Sequence, residues 1–272
     1  MAMRVCVIVA TYNRPDALAA LLEGYVHQDS SDFEVIIADD GSTDEVRRVV
    51  ESYAARQSYP ITHLWHEDRG VRVTIMRNRA LAATRAEYVI YTDGDCVPSR
   101  DFVRRHRELA EPRCFLSGNR ILLSGSLTER VLREQLPLYD WGLLPWMRAW
   151  LTRDINRWLP LIRLPDGPFR KFSAKRWEGV KTCNFSAWRA DLVSVNGFDE
   201  AYAGRWGLED SDLTVRMLHA GIRHKSARFA APVFHLWHRE YDRSGFSENQ
   251  RLLDELIASQ RTRARIGVDQ YL

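Results

Sequence analysis

The chain has 272 residues and a formal net charge of +3, and 45% of its residues are hydrophobic while 28% are charged. This composition is typical of a globular protein with one large domain, alone or with a small subdomain, and it excludes a disordered chain, while the charge gives no indication of nucleic-acid binding. The first apolar run is too short for a membrane span or a signal peptide, so we expect a cytoplasmic protein with its four cysteines reduced.

The segment between residues 5 and 92 alternates strand-like and helix-like patterns. Aliphatic and β-branched runs predict buried strands, and apolar residues three or four positions apart predict helices that pack on them. The predicted strands cover residues 5–10, 33–38, 61–65 and 88–92, and helices are predicted to begin at Asp16, after Asp44 and at Val73. Such alternation indicates crossover connections and an α/β fold with a mostly parallel sheet flanked by helices.

Polar clusters at residues 11–15, 39–42 and 93–95 follow three of these strands. Ligands bind outside the carboxyl ends of the strands in such sheets, so we expect the clusters to form one site. Asp93 and Asp95 point to the same side of an extended backbone, which suits a divalent cation that carries phosphate oxygens. The alternative is a set of solvated turns, with Asp44 as a helix cap.

Signatures of two other nucleotide-binding classes do not occur in the sequence. No Gly-x-Gly-x-x-Gly follows the first strand, and there is no Gly-Lys-Ser/Thr loop. The first pattern is typical of dinucleotide-dependent dehydrogenases and the second of P-loop enzymes. A nucleotide held by carboxylates and a metal ion is therefore the better interpretation.

Four short motifs carry a resemblance to a known family. They are Thr11-Tyr12-Asn13-Arg14-Pro15, Asp39-Asp40-Gly41-Ser42, Arg77-Asn78 and Asp93-Gly94-Asp95. With these motifs the chain resembles a nucleotide-diphospho-sugar transferase of the GT-A fold, in glycosyltransferase family 2. The resemblance implies a donor site that contains Thr11, Tyr12 and Arg14, with Asp39 or Asp40 at the base, Arg77 near the phosphates, Asp93 at the ribose and Asp95 on the metal. Arg79 and Arg85 are expected on a solvated helix face.

The segment from residue 128 to 177 contains five tryptophans, at 141, 146, 150, 158 and 177, among many arginines and lysines. Its apolar runs are broken too often to span a bilayer. Tryptophan and arginine at this density suit a membrane surface or an anionic glycolipid. The alternative is a lid whose tryptophans form its own core, and the two are compatible. Charge reversal at Arg170, Lys171, Lys175 and Arg176 is the test that the first interpretation suggests.

Residues 205–213, Arg-Trp-Gly-Leu-Glu-Asp-Ser-Asp-Leu, place three carboxylates after a tryptophan at a predicted helix start. Acidic residues in a first turn stabilise a helix against its dipole, so capping is the alternative. The stretch resembles the acceptor-side motif of GT-A enzymes of the β-1,4-galactosyltransferase and chondroitin-polymerase type. That resemblance implies that Trp206 packs on a sugar, Asp210 is the catalytic base and Glu209 supports acceptor hydroxyls. It also implies that Asn184 lies near the donor sugar.

Two histidines, His235 and His238, follow a strand-like run over residues 228–234. Positions i and i+3 of an extended segment face opposite sides, so one of them is expected to bind the metal. The family resemblance implies His235, and leaves His238 as a neighbouring or acceptor contact. Imidazole together with carboxylate and diphosphate oxygens suits Mn²⁺, with Mg²⁺ next.

The motifs divide the chain into a nucleotide-sugar half, residues 1–125, an insert, residues 126–178, and an acceptor half with a C-terminal helix, residues 179–272. The resemblance implies an inverting, metal-dependent glycosyltransferase that moves a sugar from a nucleotide-diphospho-sugar, with a UDP-sugar favoured, to a glycan or glycolipid. A bacterial surface polysaccharide or lipopolysaccharide is the expected product, and attachment to the inner membrane surface is compatible with the insert. Two rivals are a non-catalytic sugar-nucleotide or glycan-binding module, which has no need of a base, and a nucleotidyltransferase, which normally has a glycine-rich first loop.

Overall fold

The computed structural model describes residues 3–239 and 245–272 and is built on a seven-stranded sheet. The strands are β1 Val5–Thr11, β2 Phe33–Asp39, β3 Ile61–Trp65, β4 Tyr88–Asp93, β5 Cys96–Pro98, β6 Cys114–Ser117, β7 Arg120–Leu122, β8 Phe185–Trp188, β9 Arg223–Ser226 and β10 Val233–His235. The α-helices are α1 Pro15–Val26, α2 Asp44–Ala54, α3 Val73–Ala83, α4 Phe102–Leu109, α5 Gly125–Glu134, α6 Leu143–Leu151, α7 Arg189–Ser194, α8 Glu209–His219 and α9 Phe246–Ser259.

The large sheet has the strand order β3-β2-β1-β4-β8-β6-β9. The first four of these strands are parallel, β8 runs antiparallel to both of its neighbours, and β9 is parallel to β6. The predicted α/β fold with a mostly parallel sheet is therefore confirmed. Because β8 and β9 belong to the acceptor half of the sequence, both halves contribute strands to one sheet.

Strand β1 shows why the sheet forms where the sequence predicts it. All seven of its residues are buried. Its odd-numbered valines pack in a core with α1 and α2, while Cys6 and Ile8 pack in a second core with α3 and α8. A strand covered on both faces has no solvent side for polar residues, which explains its continuous apolar run.

A second, three-stranded sheet has the order β5-β10-β7. The apolar run over residues 114–123 does not form one continuous strand, because the chain forms β6 and β7 in different sheets. It turns at Gly118, whose N–H donates to the carbonyl of Asn184 and where a Cβ would collide with the Asn184 side chain. The strand predicted over 228–234 was also wrong, since β10 begins only at Val233.

Helix termini differ in one detail from expectation. Asp44 is the first residue of α2 and not its cap, since Thr43 occupies the N-cap position. Its carboxylate still lies in the first turn, where a negative charge is favourable to the helix dipole. Arg79 and Arg85 are exposed, as expected for a solvated face.

The insert packs on the small sheet through a core that includes Trp146 and Phe234. Their rings are stacked with centroids 4.4 Å apart, and Trp141 contacts Trp146 at 4.8 Å. Part of the tryptophan set therefore forms the core of the insert, as the lid interpretation requires. Over the described ranges, the helices are all too short or too polar to cross a bilayer.

Arg170 contradicts its expected place on a cationic surface. Its side chain is fully buried, and its guanidinium donates to the backbone carbonyls of Leu164 at 2.6 Å, Pro165 at 3.0 Å, Arg228 at 2.8 Å and Ser226 at 2.9 Å. Hydrogen bonds to four carbonyls hold the loop around it together. Charge reversal at this position would therefore test folding and not membrane binding.

Candidate active site

The carboxyl ends of β1, β2 and β4 lie side by side. In the register of the sheet, Thr11 lies opposite Asp39, and Ala10 lies opposite Asp93. Gly94 then passes over Thr11 so closely that a Cβ at this position would lie 2.8 Å from the Thr11 hydroxyl oxygen. The three polar clusters therefore meet at one edge of the sheet.

Asp95, His235 and His238 form a group able to hold a metal ion. The turn between β4 and β5 carries Asp95, and β5 pairs with β10 so that Cys96 lies opposite His235. One carboxylate oxygen of Asp95 lies 3.8 Å from Nε2 of His235 and 3.3 Å from Nε2 of His238. One ligand atom from each residue falls within 4.8 Å of the others.

Both histidines reach Asp95 because the strand ends at His235. The expectation that one histidine is the likelier ligand assumed that the chain stays extended as far as His238, and which of the two binds a metal stays a prediction. The N–H of Leu236 donates to the carbonyl of Asp95, which fixes the segment against the turn. Burial, chiefly, lowers the pKa of His235, and a neutral imidazole is the form that binds a metal. One carboxylate and two imidazoles suit Mn²⁺.

Asp93, Cys96 and Cys183 form a second group with ligand atoms in reach of one another. Burial raises the pKa of the Cys96 thiol well above its ordinary value, so the thiol stays protonated. A protonated thiol is a poor ligand. The group of Asp95 and the two histidines is therefore the better candidate.

Arg77 lies between the donor half and the acceptor half. Its buried guanidinium donates to Asp93 at 2.8 Å, and its Nη1 lies 3.6 Å from a carboxylate oxygen of Glu209 and 3.7 Å from one of Asp210. The side chain is turned to three carboxylates, and the expected contact with the phosphates of a donor stays a prediction. Arg77 supplies their shared counter-charge.

Two of the carboxylates around Arg77, those of Glu209 and Asp93, have raised pKa values. Burial, followed by the charge of Asp210, raises the pKa of Glu209 to about 7, and Arg77 opposes the rise. Desolvation raises the pKa of Asp93 to about 6, with Arg77 opposing and Asp95 and Asp210 adding to it. One guanidinium does not offset three neighbouring carboxylates, and groups in this condition are suited to proton transfer.

Asp210 is positioned by the first turn of α8 and by Thr182, whose hydroxyl donates to its carboxylate. Thr182 precedes β8, which runs antiparallel to β4, so it lies beside the carboxyl end of β4. The turn before α8 is built from Gly207 and Leu208, both with positive φ angles of 98° and 72°. The sequence interpretation did not identify Thr182, because a lone threonine carries no recognisable pattern.

Trp206 lies near Glu209 and is partly exposed. Both line a small cavity, together with Val71 and Thr74 of the donor half. The backbone around Trp206 is tied to α9, since Asn249 accepts from Arg205 and donates to the carbonyl of Gly207. An exposed indole on a fixed loop beside two carboxylates is a surface on which a sugar ring can pack.

The two aspartates that follow β2 differ in accessibility. Asp39 is fully buried, and its oxygens bond to the N–H of Ser42 and to His63, each at 2.8 Å. Asp40 keeps 7% of its surface exposed and bonds to His66 and to the N–H of Arg72, each also at 2.8 Å. Both aspartates remain candidates for a contact with the base. The sequence analysis missed both histidine partners, His63 on β3 and His66 directly after it, because neither belongs to a recognisable motif.

Tyr12 and Arg14 complete the donor side of the cleft. The hydroxyl of Tyr12 donates to Asp68 at 2.9 Å, and its ring is exposed at the edge of the sheet. Arg14 pairs with Asp16 at 2.9 Å at the start of α1. Both side chains remain at the surface next to Thr11, where a nucleotide can reach them.

Asn184 does not face the cleft. Its amide donates to the carbonyls of Asn119 at 2.9 Å and Ala231 at 2.6 Å, and its oxygen lies 3.1 Å from Nε2 of His106. Burial lowers the pKa of His106 to about 4, so that ring is neutral. The predicted contact of Asn184 with a donor sugar is therefore not supported, and the residue joins β8 to the loops around it.

Two family models match the sequence. The model for glycosyl transferase family 2 matches residues 6–175, and the model described as the N-terminal domain of galactosyltransferase matches residues 170–239. The first match contains the motifs of the donor side. The second contains Trp206, Glu209, Asp210 and both histidines.

Two curated proteins are similar over most of the chain. The validoxylamine A glucosyltransferase of Streptomyces hygroscopicus subsp. jinggangensis is 30% identical over 79% of this chain and 51% of that protein. The chondroitin synthase of Pasteurella multocida is 28% identical over 79% of this chain and 23% of that protein. The chain spans about half the length of the first relative and less of the second.

Solved structures share the fold. S. aureus TarS 1–349 in complex with UDP has a TM-score of 0.59 at 18% identity, over 99% of this chain and 68% of that one. The mannosyltransferase PcManGT from Pyrobaculum calidifontis in complex with GDP-Man and Mn²⁺ has a TM-score of 0.58 at 21% identity, over 96% of this chain and 63% of that one. At these identities the similarity establishes the GT-A fold and nothing finer.

Proposed function

The chain belongs to glycosyl transferase family 2, and on that basis we propose that it is an inverting, metal-dependent glycosyltransferase. Its donor is a nucleotide-diphospho-sugar, with a UDP-sugar favoured, and its acceptor is a glycan or a glycolipid. The observation that carries this proposal is the position of Arg77, which is 2.8 Å from Asp93 of the donor half and 3.7 Å from Asp210 of the acceptor half. Two parts of the chain that are distant in sequence thus meet in one cleft.

The donor side of the proposal rests on the edge formed by β1, β2 and β4. Tyr12 and Asp40 border the cleft where a nucleobase would lie, and Asp93 is the next carboxylate along the edge. TarS binds UDP at the same fold, and PcManGT binds GDP-Man with Mn²⁺. Because one of these proteins binds a uridine nucleotide and the other a guanosine nucleotide, the fold alone does not set the choice of base. The proposed preference of this chain for a UDP-sugar therefore depends on its own loops.

Asp95, His235 and His238 are the proposed metal ligands. A divalent cation bound there neutralises charge that develops on the leaving diphosphate. The protein contributes the geometry: the pairing of β5 with β10 sets the distance between the carboxylate and the imidazoles. The lowered pKa of His235 leaves that imidazole neutral, so it adds no positive charge beside the cation.

Asp210 is the proposed general base, which removes the proton of the acceptor hydroxyl as that oxygen attacks the anomeric carbon. Thr182 fixes its orientation by a hydrogen bond. A single displacement with one base inverts the anomeric centre. Trp206 is the proposed platform for the acceptor sugar, next to the carboxylates.

Glu209 is the second candidate for that proton. Its pKa of about 7 lies near neutral pH, where a general base works best. We assign it the support of acceptor hydroxyls, because its protonated form donates a hydrogen bond and its ionised form accepts one. Substitution of each carboxylate by its amide separates the two roles.

The acceptor is proposed to be part of a bacterial surface polysaccharide or lipopolysaccharide. The similarity to a chondroitin synthase supports a glycan acceptor. The similarity to a validoxylamine A glucosyltransferase keeps a small-molecule acceptor as a candidate of the same chemistry. The insert, which flanks the metal ligands through Trp146 and Phe234, is the part of the chain expected to select between them.

The proposal is tested by incubating the chain with radiolabelled UDP- and GDP-sugars in the presence of Mn²⁺. Slow donor hydrolysis, or transfer to an added glycan, with inversion seen by NMR, supports it. Formation of a nucleoside triphosphate and a sugar 1-phosphate when pyrophosphate is added would instead identify a nucleotidyltransferase. Binding of every donor without turnover, unchanged by Asp210→Asn, would identify a non-catalytic module.

A further inference from the structure

Exposed apolar side chains are concentrated in one part of the insert. Seventeen large hydrophobic side chains are exposed among the described residues, and nine of them lie between residues 143 and 172. Exposed hydrophobic residues that are scattered singly need no explanation, but a concentration of them marks an interaction surface.

Helix α6 presents its apolar side to the solvent. Eight of the nine residues of Leu143–Leu151 are uncharged and apolar or proline, and Arg148 is the only charged one. The inward side is formed by Trp146 and Ala149, which are buried. The outward side carries Leu143, Leu144 and Leu151, with exposures of 63%, 82% and 71%. A helix that is apolar on every side is normally enclosed or placed at a membrane.

Cationic side chains border this outward face of α6. Arg148, Arg153 and Arg157 are exposed, and none of them makes an ion pair with a described residue. Two arginines, Arg130 and Arg148, also line an open groove of about 460 Å³ between α5 and α6, whose apolar walls include Leu144.

One carboxylate lies in this groove, and it is already engaged. Asp154 accepts hydrogen bonds from Ser124 at 2.8 Å, Ser126 at 3.2 Å and Thr152 at 2.8 Å. These bonds hold it at the start of α5, and the charge of Arg130 also contributes to the lowered pKa of this carboxylate. The groove therefore combines apolar walls with cations at its rim, which matches an acyl chain with a phosphate headgroup.

We propose that the outward face of α6 docks on a bilayer that contains anionic phospholipid. Leucines enter the interface, and the arginines meet lipid phosphates. A second copy of the chain fits this face less well, because a two-fold contact would bring the arginines of both copies together. Anionic lipid supplies the opposite charge as well as the apolar phase.

The docked orientation would place the metal ligands close to the membrane. Trp146, on the inward side of α6, stacks on Phe234, and the next residue along β10 is His235. The contact between Trp146 and Phe234 thus fixes α6 against β10, the strand that carries the proposed metal ligand His235. A surface-docked chain would be well oriented for a lipid-linked acceptor, although the docking itself does not depend on the proposed transfer reaction.

The experiment is co-sedimentation of the whole chain with vesicles, without donor and with EDTA. We expect binding to phosphatidylglycerol vesicles, much weaker binding to phosphatidylcholine vesicles, and a decrease at high salt. The double variant Leu144→Glu/Leu151→Glu should lower the partition coefficient by about tenfold or more. Arg148→Ser/Arg157→Ser should lower it by about fivefold for each arginine.

Matched controls separate docking from general changes in charge or folding. Ile266→Glu/Leu272→Glu introduces the same charges at exposed positions outside the insert, and Arg48→Ser/Arg85→Ser removes two exposed arginines of the donor half. These variants should bind vesicles with little change, and circular dichroism with thermal unfolding should show every variant folded. No binding to phosphatidylglycerol vesicles, or equal losses in test and control variants, would overturn the proposal. The proposal would also be overturned if the chain bound no vesicles but formed a dimer in solution, and if Leu144→Glu dissociated that dimer.

Discussion

The cleft contains two clusters of carboxylates, and the clusters differ in which side chains lie beside them. Asp95 faces His235 and His238, and the pKa of His235 is lowered, so this group lacks a protein cation on the side of that ring. Asp93, Glu209 and Asp210 instead share the guanidinium of Arg77. A carboxylate beside two imidazoles, of which His235 has a lowered pKa, is a place for an external cation. Asp93 and Glu209, whose pKa values burial raises against the charge of Arg77, are instead suited to hold and release protons.

This difference assigns the two halves of the proposed reaction to different parts of the chain. The turn after β4 and strand β10, which strand pairing holds in place, would bind the metal ion that stabilises the leaving diphosphate. The first turn of α8, held by Thr182, would take the acceptor proton. Because Arg77 contacts both the donor edge and α8, one side chain links these two parts.

The largest expected effect comes from removing the carboxylate that faces His235 and His238. Asp95→Ala should abolish Mn²⁺-dependent UDP binding and lower the transfer rate at least about a thousandfold, or ~4 kcal/mol, since the charge on the leaving group is then uncompensated. Isothermal titration with UDP and Mn²⁺ checks it, with Asp44→Ala as the exposed control. Unchanged UDP affinity would remove the metal site from this position.

Asp210→Asn tests the other group. It keeps a hydrogen-bond acceptor for Thr182 but removes the base, so kcat should fall by about a hundredfold to a thousandfold while UDP and Mn²⁺ affinities stay the same. Initial rates and donor titrations measure the two quantities. Glu209→Gln should reduce kcat less. The reverse ranking would make Glu209 the base.

Arg77→Met removes the shared counter-charge and leaves three neighbouring carboxylates. The free energy of unfolding should fall by about 3 kcal/mol at neutral pH, because breaking a buried ion pair leaves uncompensated charge. The loss should shrink near pH 5, where Asp93 and Glu209 take up protons, since the pKa values are about 6 and about 7. Urea unfolding at both pH values measures it.

The matched control for that substitution is Arg79→Met. It lies two residues further along α3 with its side chain exposed, and its unfolding free energy should change by no more than about 0.5 kcal/mol. Equal destabilisation of both variants would show that α3 is sensitive to any arginine replacement. The role of Arg77 as a link between the two halves would then be lost.

The donor edge could be predicted from the sequence because each of its residues lies at the end of a strand that the sequence pattern identifies. Strand periodicity places Asp93 and Asp95 at a carboxyl end, and parallel topology brings Thr11 and Asp39 to the same edge. The contacts of Arg77 could not be predicted in this way, since its partners are more than a hundred residues apart in the chain. The same limit explains why the sequence analysis ranked His238 below His235 and did not identify Thr182. The roles of both residues depend on neighbours in space that are distant in the sequence.

The smallest predicted effect is a change in the free energy of unfolding when Glu209, one of the three carboxylates around Arg77, is replaced by glutamine. Burial raises the pKa of Glu209 from an ordinary 4.5 to about 7, so the folded protein holds this proton more tightly than the unfolded chain does. The contribution of Glu209 to stability is therefore fully present below pH 4.5 and is lost as pH rises through 7. Glu209→Gln cannot ionise, and it leaves Arg77 with two carboxylates, so above neutral pH it should be more stable than the native chain by ~1 to 2 kcal/mol.

Thermal unfolding across this range measures the difference. The Tm of Glu209→Gln should exceed that of the native chain by about 2 to 6 °C near pH 8 and by little near pH 4.5. Glu178→Gln, an exposed change, should show no such dependence on pH. A gain in stability joined to a loss of kcat means that the cleft retains an excess of negative charge for its reaction at a cost in stability. A Glu209→Gln protein that is less stable at every pH would mean that Arg77 needs all three carboxylates, and the contrast with the metal group would disappear.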